Sequence, residues 1–189
     1  MPAHPALTAQ ISALIERRTG IARGAYSPAT LDAAVMAAGD GATLLHTLEN
    51  TPEREPIWQN LLNTLLIGET YFFRNQAHFN LLRQVIAPQF SGRELRVWSA
   101  GCSTGEETYS LAIALSETLP DLSTRGLRLI GTDINSAALA TAERGHYREW
   151  SFRQTEPSLR SRYFTAQTGG WLINPALRGL PRFQQHSLL

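Results

Sequence analysis

Lysine is absent from this sequence of 189 residues: its 17 basic side chains are all arginine, and with 16 acids they give a formal net charge of +1. A charge so close to zero excludes the strong whole-chain electrostatic field of a typical nucleic-acid-binding protein. Cysteine occurs once, at Cys102, which excludes an intramolecular disulfide framework and a cysteine-rich zinc site. There is no run of 18 apolar residues, and the first ten residues lack the layout of a signal peptide. We therefore expect a cytoplasmic protein without membrane insertion or a bound metal.

Charge is distributed unevenly along the chain. Residues 1–70 contain four arginines and seven acids (−3), residues 71–142 contain six of each, and residues 143–189 contain seven arginines and three acids (+4). The last quarter is therefore where we expect an acidic partner, although arginines of this kind also serve simply to solvate a surface.

Helical periodicity dominates the first third of the sequence. Four helices are predicted: one carries the stripe Leu7 to Ile15 and stops at Gly20, one runs from Ser27-Pro28 to Gly39, a short one contains Leu44 to Leu48, and one opens at Thr51-Pro52 with the stripe Ile57 to Leu66. We predict an all-α N-terminal domain over residues 1–70.

A different order of elements follows Arg74. A helix carrying Phe79 to Ile86 precedes a strand over Leu95 to Trp98, a loop of small residues at 99–105 and a helix from Glu106 to Leu119. A second apolar strand ends at Thr132-Asp133, and another helix follows up to Arg144. Strand, glycine-containing loop, helix, strand and acid, in that order, predict an α/β fold of the doubly wound class.

The loop and the acid carry the first chemical inference. Asp133 lies 32 residues after Gly101, where a strand-end carboxylate can accept hydrogen bonds from ribose hydroxyls, or alternatively cap the next helix. The loop lacks the G-x-G-x-x-G fingerprint, and Glu106 and Glu107 would repel a pyrophosphate at the helix N-terminus. A cationic sulfonium or ammonium would be attracted there, so the sequence favours S-adenosylmethionine over NAD or ATP. Alternatively, the two glutamates serve only to stabilise the helix N-terminus, where the helix dipole favours acidic side chains.

Several motifs together resemble the chemotaxis receptor methyltransferase (CheR) family. They are Thr70-Tyr71-Phe72-Phe73-Arg74, the run from Trp98 through Gly101-Cys102-Ser103-Thr104-Gly105-Glu106-Glu107 to Ser110, Gly131-Thr132-Asp133-Ile134-Asn135, Ala142 to Tyr147, Arg162-Tyr163-Phe164 and Gly169-Gly170. The resemblance covers nearly the whole chain, from about Leu7 to Leu189.

The family resemblance implies a fold and an activity. The implied fold is a helical N-terminal domain followed by a Rossmann-like methyltransferase domain over residues 71–189, with a small antiparallel β subdomain at 148–183. The implied activity is transfer of a methyl group from S-adenosylmethionine to glutamate side chains of a chemoreceptor or related signalling protein. The sheet is incomplete, because the chain stops in what we predict to be a third strand at His186 to Leu189, so we expect a fragment of a longer protein.

Site residues are also carried over from the resemblance. The implied cofactor-binding positions are Thr70, Arg74, Ala100, Gly101, Glu106 or Glu107, Asp133, Ile134, Ser187 and Leu188. Arg74 is the candidate catalytic residue, because its guanidinium suits a carboxylate; whether that carboxylate belongs to the cofactor or to the substrate is open, and the resemblance favours the cofactor. Gly68 and Ser187 stand where relatives often have asparagine, and the second helix lacks the family's basic residues.

Phe72, Phe73, Tyr109 and Cys102 have an alternative interpretation as packing residues. For the protein as a whole, two alternatives to a methyltransferase stay open: a degenerate relative that binds the cofactor or a signalling partner without turnover, and a nucleotide-binding or helical adaptor module. In the β subdomain, Leu172 to Pro175 is predicted to be an edge strand that docks an extended peptide, with nearby arginines adding charge complementarity.

Overall fold

Two units of unlike secondary structure make up the computed structural model, which describes residues 5–66, 68–90, 94–119 and 126–188. The first unit contains residues 1–67, 134–136 and 186–189, and the second contains residues 68–133 and 137–185.

The first unit is helical because apolar stripes on its helices share one core. Its helices are α1 (Pro5–Thr19), α2 (Pro28–Ala37), α3 (Gly41–Asn50) and α4 (Pro56–Leu65), with a 3-10 turn at Arg23–Ala25. Ile11, Leu48 and Leu62 are fully buried in this core. As predicted, Ser27 caps α2, accepting a hydrogen bond from the amide of Thr30.

One predicted helix start is wrong. The fourth helix begins at Pro56 and not at Thr51-Pro52. Both sites offer a proline that could open a helix, but Thr51 terminates α3, and its carbonyl accepts a hydrogen bond from the indole of Trp58 (3.1 Å). Since Trp58 is fully buried, that bond satisfies its Nε1–H, which also donates to the carbonyl of Leu48 (3.0 Å).

The second unit contains a parallel sheet. A helical segment comes first, made of α5 (Gln76–Leu81), a π-helical turn (Leu82–Ile86) and α6 (Ala87–Gln89). Then come β1 (Leu95–Ala100), α7 (Glu106–Thr118), β2 (Leu127–Asp133) and α8 (Ser136–Arg144), and the last strand of the chain, β6, spans Pro181–Gln185. The strand order is β1-β2-β6, with all pairs parallel. Ala100 pairs with Thr132, so the carboxyl ends of β1 and β2 meet at one edge.

A small antiparallel sheet lies between α8 and β6 in the sequence. It is built from β3 (His146–Tyr147), β4 (Phe164–Gln167) and β5 (Gly170–Ile173) in the order β3-β5-β4, with a 3-10 turn (Glu149–Phe152) and the helices α9 (Pro157–Tyr163) and α10 (Pro175–Arg178) around it.

Two predicted strands need correction. The strand expected at Leu172 to Pro175 spans Gly170–Ile173 and is the central strand of the antiparallel sheet, because it pairs with β3 on one side and β4 on the other. The third parallel strand ends at Gln185, before the predicted His186 to Leu189; of that segment, Leu189 lies outside the described residues.

The α/β fold class is confirmed, with a helical unit, parallel strands and a small antiparallel sheet. Among the described helices, none combines the length and the apolar character needed to span a bilayer.

Candidate functional site

The loop between β1 and α7 is held in an unusual backbone conformation. Gly101, Ser103 and Gly105 all have positive φ angles, of 70°, 50° and 91°. Gly105 is required for space as well, because a Cβ atom there would lie 2.7 Å from the Cβ of Ala142. At Gly101 an added Cβ would meet nothing within 4 Å, so the space beside that backbone is open. The loop therefore offers an accessible backbone at the carboxyl edge of the sheet, where doubly wound folds bind ligands.

Asp133 holds this loop. Its Oδ2 accepts a hydrogen bond from the amide of Ser103 (2.7 Å), and the carbonyl of the adjacent Thr132 accepts one from the amide of Cys102 (2.9 Å). Ser103 is not a glycine, and a left-handed conformation costs such a residue about 1–2 kcal/mol. The hydrogen bond to a carboxylate helps to offset that cost. Asp133 thus has a role in ordering the loop that the sequence did not suggest.

The adjacent glutamates of α7 are placed differently. Glu106 is buried, and its carboxylate accepts hydrogen bonds from Thr104 Oγ1 (2.5 Å) and Ser151 Oγ (2.9 Å). Glu107 is exposed, and its Oε1 accepts a hydrogen bond from Ser99 Oγ (2.7 Å) at the end of β1. Within the described part of the chain neither forms an ion pair. Of the pair, only Glu107 presents a carboxylate that a ligand could approach.

The segment from Thr70 to Arg74 combines buried and exposed side chains. Phe72 and Phe73 are core residues, as their packing interpretation predicts; Phe72 stacks on Phe152 with ring centroids 4.9 Å apart. Phe73 has a φ of 56°, and its amide donates a hydrogen bond to Ser110 Oγ (3.0 Å). Among the described residues, two that are not glycine have a positive φ, namely Phe73 and Ser103. Both lie in the motifs that carry the family resemblance.

Arg74 is exposed beside a half-buried Thr70. Its guanidinium donates to the carbonyl of Glu69 (2.8 Å) and lies 5.8 Å from the ring centroid of Tyr71. No carboxylate of the described residues lies within ion-pair distance of Arg74. The guanidinium is therefore available to a carboxylate from outside.

Gly68 and Ser103 are in close approach. A Cβ atom on Gly68 would overlap Ser103 Oγ and lie 3.2 Å from Ser103 Cβ. Ser103 Oγ itself is buried and has no hydrogen-bond partner among the described residues. The hydroxyl of Ser103 thus occupies the space that a larger residue at position 68 would need.

The remaining predicted site residues are divided between the two units. Ala100 is exposed at the end of β1 in the second unit, whereas Ile134, Ser187 and Leu188 belong to the first unit. Cys102 and Tyr109 pack in the interior: burial, assisted by the charge of Asp133, raises the pKa of the Cys102 thiol to about 12, and burial raises that of Tyr109. Tyr109 donates its hydroxyl to the carbonyl of Ala142 (2.9 Å).

Four polar residues that shape the loop or hold Glu106 are not among the site residues predicted from the sequence. The amide of Ser103 bonds to Asp133, the hydroxyls of Thr104 and Ser151 donate to Glu106, and Tyr147 reaches the carbonyl of Thr104 (2.9 Å) from 43 residues away. For Ser103 the flanking glycines were a usable signal, because they mark left-handed backbone. No local pattern marks Ser151.

In the described residues, no group of three or more His, Cys, Asp or Glu side chains could hold a metal ion.

Several known proteins are similar to this chain. The family model described as "CheR methyltransferase, SAM binding domain" matches residues 68–189. Chemotaxis protein methyltransferase 2 of Pseudomonas aeruginosa is 32% identical over 191 residues, covering 95% of this chain and 67% of the relative. Chemotaxis protein methyltransferase 1 of the same organism is 32% identical over 147 residues (72% and 53%). The chemotaxis protein methyltransferase of Escherichia coli is 41% identical over 112 residues (59% and 38%). The chain thus spans roughly half the length of such relatives.

Proposed function

Because this chain belongs to the CheR methyltransferase family, whose matching domain binds S-adenosylmethionine, we propose that its protein transfers methyl groups from that cofactor to glutamate side chains of a chemoreceptor or related signalling protein. The observation that carries the proposal is the pair of acids, Glu107 and Asp133, beside an open glycine loop at the carboxyl edge of parallel strands. We assign residues 1–70 to a helical domain, residues 71–189 to the methyltransferase domain and residues 148–183 to its β subdomain, and place the protein in the cytoplasm.

The chemistry of the donor set fits this cofactor. Glu107 has an exposed carboxylate that suits the ammonium group of the methionyl part, and a carboxylate there would repel a diphosphate. Asp133 suits the ribose hydroxyls. The open space at Gly101 admits a ligand against the backbone. In our assignment the cofactor site is completed by Thr70, Arg74, Ala100, Ile134, Ser187 and Leu188. Glu106 supports this site without contacting the cofactor.

The proposed reaction needs little from the protein besides positioning. When bound, S-adenosylmethionine supplies a methyl group made electrophilic by its sulfonium. A glutamate side chain has an ordinary pKa near 4.3 and is already an anionic nucleophile at neutral pH, so no general base is required. Orientation of reactants can contribute about 7–11 kcal/mol. Arg74 is the residue we propose for holding a carboxylate, that of the cofactor or that of the acceptor, by a bidentate pair.

Asp133 provides the first test, with two variants that separate its roles. Asp133→Ala removes both the proposed ribose contact and the acceptor for the amide of Ser103, and should weaken binding of S-adenosylhomocysteine about 10- to 100-fold by calorimetry. Asp133→Asn keeps an acceptor for that amide but removes the charge, and should also weaken binding. Glu156→Ala, an exposed acid of the same unit, is the control.

If Asp133→Asn binds as tightly as the wild type while Asp133→Ala does not, the acid acts through the loop and the ribose assignment is wrong. If the full-length wild-type protein does not bind S-adenosylhomocysteine, an adaptor without cofactor is favoured. Binding without transfer of radiolabelled methyl groups, released by base as labile esters, would favour a degenerate relative. The substitutions at Gly68 and Ser187 motivate that alternative.

We further propose that the β subdomain docks an extended peptide of its partner on the edge strand β4. Thr165, Ala166 and Gln167 are exposed on that strand, which pairs only with β5 among the described strands. An exposed edge can accept a strand by backbone pairing.

The arginines of the segment contribute unequally to such docking. Arg153, Arg160 and Arg162 form ion pairs with Glu69, Glu149 and Glu117. Arg178 and Arg182 are exposed and form none with the described residues, so they are the candidates for attracting an acidic peptide. Their contribution should be mainly to association rate and salt sensitivity.

Replacing residues 165–180 by a short Gly-Ser linker in the full-length protein should abolish binding of the signalling partner, whereas binding of S-adenosylhomocysteine should be retained. Partner binding retained at low salt would contradict the docking proposal.

A further inference from the structure

Glu106 is a buried carboxylate that the proposed cofactor chemistry does not use. Only 3% of the residue is exposed, and both carboxylate oxygens are occupied: Oε2 accepts from Thr104 Oγ1 (2.5 Å) and Oε1 from Ser151 Oγ (2.9 Å). No arginine or histidine of the described chain forms an ion pair with it. Burial of an unpaired charge is costly, and hydrogen bonds from hydroxyls are what make it tolerable here.

The two hydroxyls come from different parts of the second unit. Thr104 lies in the loop between β1 and α7, and Ser151 lies in the 3-10 turn that follows β3. Glu106 therefore bridges the loop to a turn 45 residues further along the chain.

The turn side of the bridge is firmly anchored. The carbonyl of Ser151 accepts a hydrogen bond from the amide of Phe72 (2.9 Å), and the next residue, Phe152, stacks on the ring of Phe72 with an interplanar angle of 15°. Tyr147, in β3, donates its hydroxyl to the carbonyl of Thr104 (2.9 Å). Burial, assisted by the charge of Glu106, raises the pKa of Tyr147, so this hydroxyl stays a donor at physiological pH. Thr104 is thus held at two points, directly by β3 and through Glu106 by the turn.

The loop side is the part that needs holding. Thr104 stands between Ser103 and Gly105, both in left-handed conformations. The amide of Ser103 donates to Asp133 and that of Gly105 to the carbonyl of Cys102 (2.9 Å). A displacement of Thr104 would disturb both bonds.

We infer that Glu106 is a positioning residue that couples the β subdomain to the cofactor loop, so that partner docking and cofactor binding influence each other. The coupling rests on the cofactor binding and partner docking proposed above, whereas the bridge itself does not depend on them. The coupling is reciprocal by thermodynamic necessity: if a shift of residues 147–152 changes cofactor affinity, cofactor binding changes partner affinity by the same factor. If Glu106 served only the dipole of α7, its neighbours in the turn would be irrelevant to the loop.

Ser151→Ala tests the bridge from its far end. The variant removes one hydroxyl and leaves Glu107, Asp133 and the loop sequence intact. We expect hydrogen exchange at the amides of Ser103 and Gly105 to become about tenfold faster, and affinity for S-adenosylhomocysteine to fall about tenfold, which is the scale of one hydrogen bond to a charged group. Ser161→Ala is the matched control, since that hydroxyl donates only to the carbonyl of Pro157 on exposed α9. It should match the wild type in both measurements.

Glu106→Gln and Glu106→Ala complete the test. An amide keeps both links because the hydroxyls of Thr104 and Ser151 can each donate or accept, so Glu106→Gln should exchange within about threefold of the wild type. Glu106→Ala loses both links and should match or exceed Ser151→Ala.

The inference is overturned if Ser151→Ala, folded as shown by its circular dichroism, exchanges its loop amides at the wild-type rate. Failure of the full-length wild-type protein to bind S-adenosylhomocysteine would instead refute the proposed function and leave the bridge standing, because the exchange measurement needs no ligand.

Discussion

A substitution at Gly68 offers a direct test of the loop geometry. Its φ lies outside the left-handed region, so the backbone would accept alanine or asparagine, and only space limits the position. An added Cβ would overlap Ser103 Oγ, and because Ser103 Cβ would be 3.2 Å away, rotation of the hydroxyl cannot relieve the whole clash. Overpacking of this kind costs about 1–3 kcal/mol, and the smaller unfolded-state entropy of alanine returns about 0.4–1 kcal/mol.

The net expectation is that Gly68→Ala lowers the free energy of unfolding by about 1–2 kcal/mol in urea titrations, and that Gly68→Asn, which introduces the residue implied there by the family resemblance, does at least the same. In a Ser103→Gly background most of this loss should disappear, because that substitution removes the clashing hydroxyl and suits the φ of 50°. The wild type, Gly68→Ala, Ser103→Gly and the double variant form a double-mutant cycle, in which we expect an interaction energy of about 1 kcal/mol or more. Additive effects, or a Gly68→Ala variant as stable as the wild type, would refute the steric argument.

Two further predictions concern the stability of each unit. Asp40 caps α3 through the amides of Ala42 and Thr43, and hydrogen bonds, led by that of the Thr43 hydroxyl, lower its pKa. The stabilising effect of its charge is therefore complete at neutral pH and is lost as pH falls through the lowered pKa, so Asp40→Ala should reduce Tm more at pH 7 than in acid; a reduction that does not change with pH would contradict this. The guanidinium of Arg153 lies 3.7 Å from the ring centroid of Tyr71 and 4.5 Å from that of Trp150. Arg153→Lys should therefore lower the free energy of unfolding in urea by about 1–2 kcal/mol, whereas the control Arg162→Lys, at an exposed ion pair, should change it little. Equal effects of the two substitutions would show that the stacking contributes nothing.

Local chemistry made most of the helices predictable. Ser27-Pro28 predicts the start of α2 correctly because a capping hydroxyl and a proline with fixed φ act within four residues of each other. Thr51-Pro52 offers the same local signal and is not a helix start. What decides between Thr51-Pro52 and Glu55-Pro56 is the buried indole of Trp58, which requires the carbonyl of Thr51 as an acceptor. That requirement is tertiary, so no local rule detects it.

The sequence predicts the presence of a strand more readily than it predicts which strands lie on either side of it. A strand near Leu172 was expected from composition, but its central position in the sheet depends on partners on both sides. Gly170 shows the physical constraint: an added Cβ would lie 3.0 Å from the carbonyl carbon of Tyr147, so glycine permits the approach of β3. In the sequence, Gly169-Gly170 stands out only as one of the motifs of the family resemblance.

In the candidate site, too, the sequence predicts which types of residue are present but not what each of them does. The motifs predict that an acid follows the loop, but two adjacent glutamates satisfy that pattern equally well. Consecutive residues of an α-helix point about 100° apart, so at most one of them can face inward with a given partner. Ser99, eight residues before Glu107, lies at the carboxyl end of β1, while Ser151 comes from a separate turn and reaches Glu106. The inward carboxylate therefore becomes part of the scaffold and the outward one stays accessible. It follows that Glu107→Gln should act on cofactor affinity alone, whereas loss of Glu106 should act on the loop with or without a ligand.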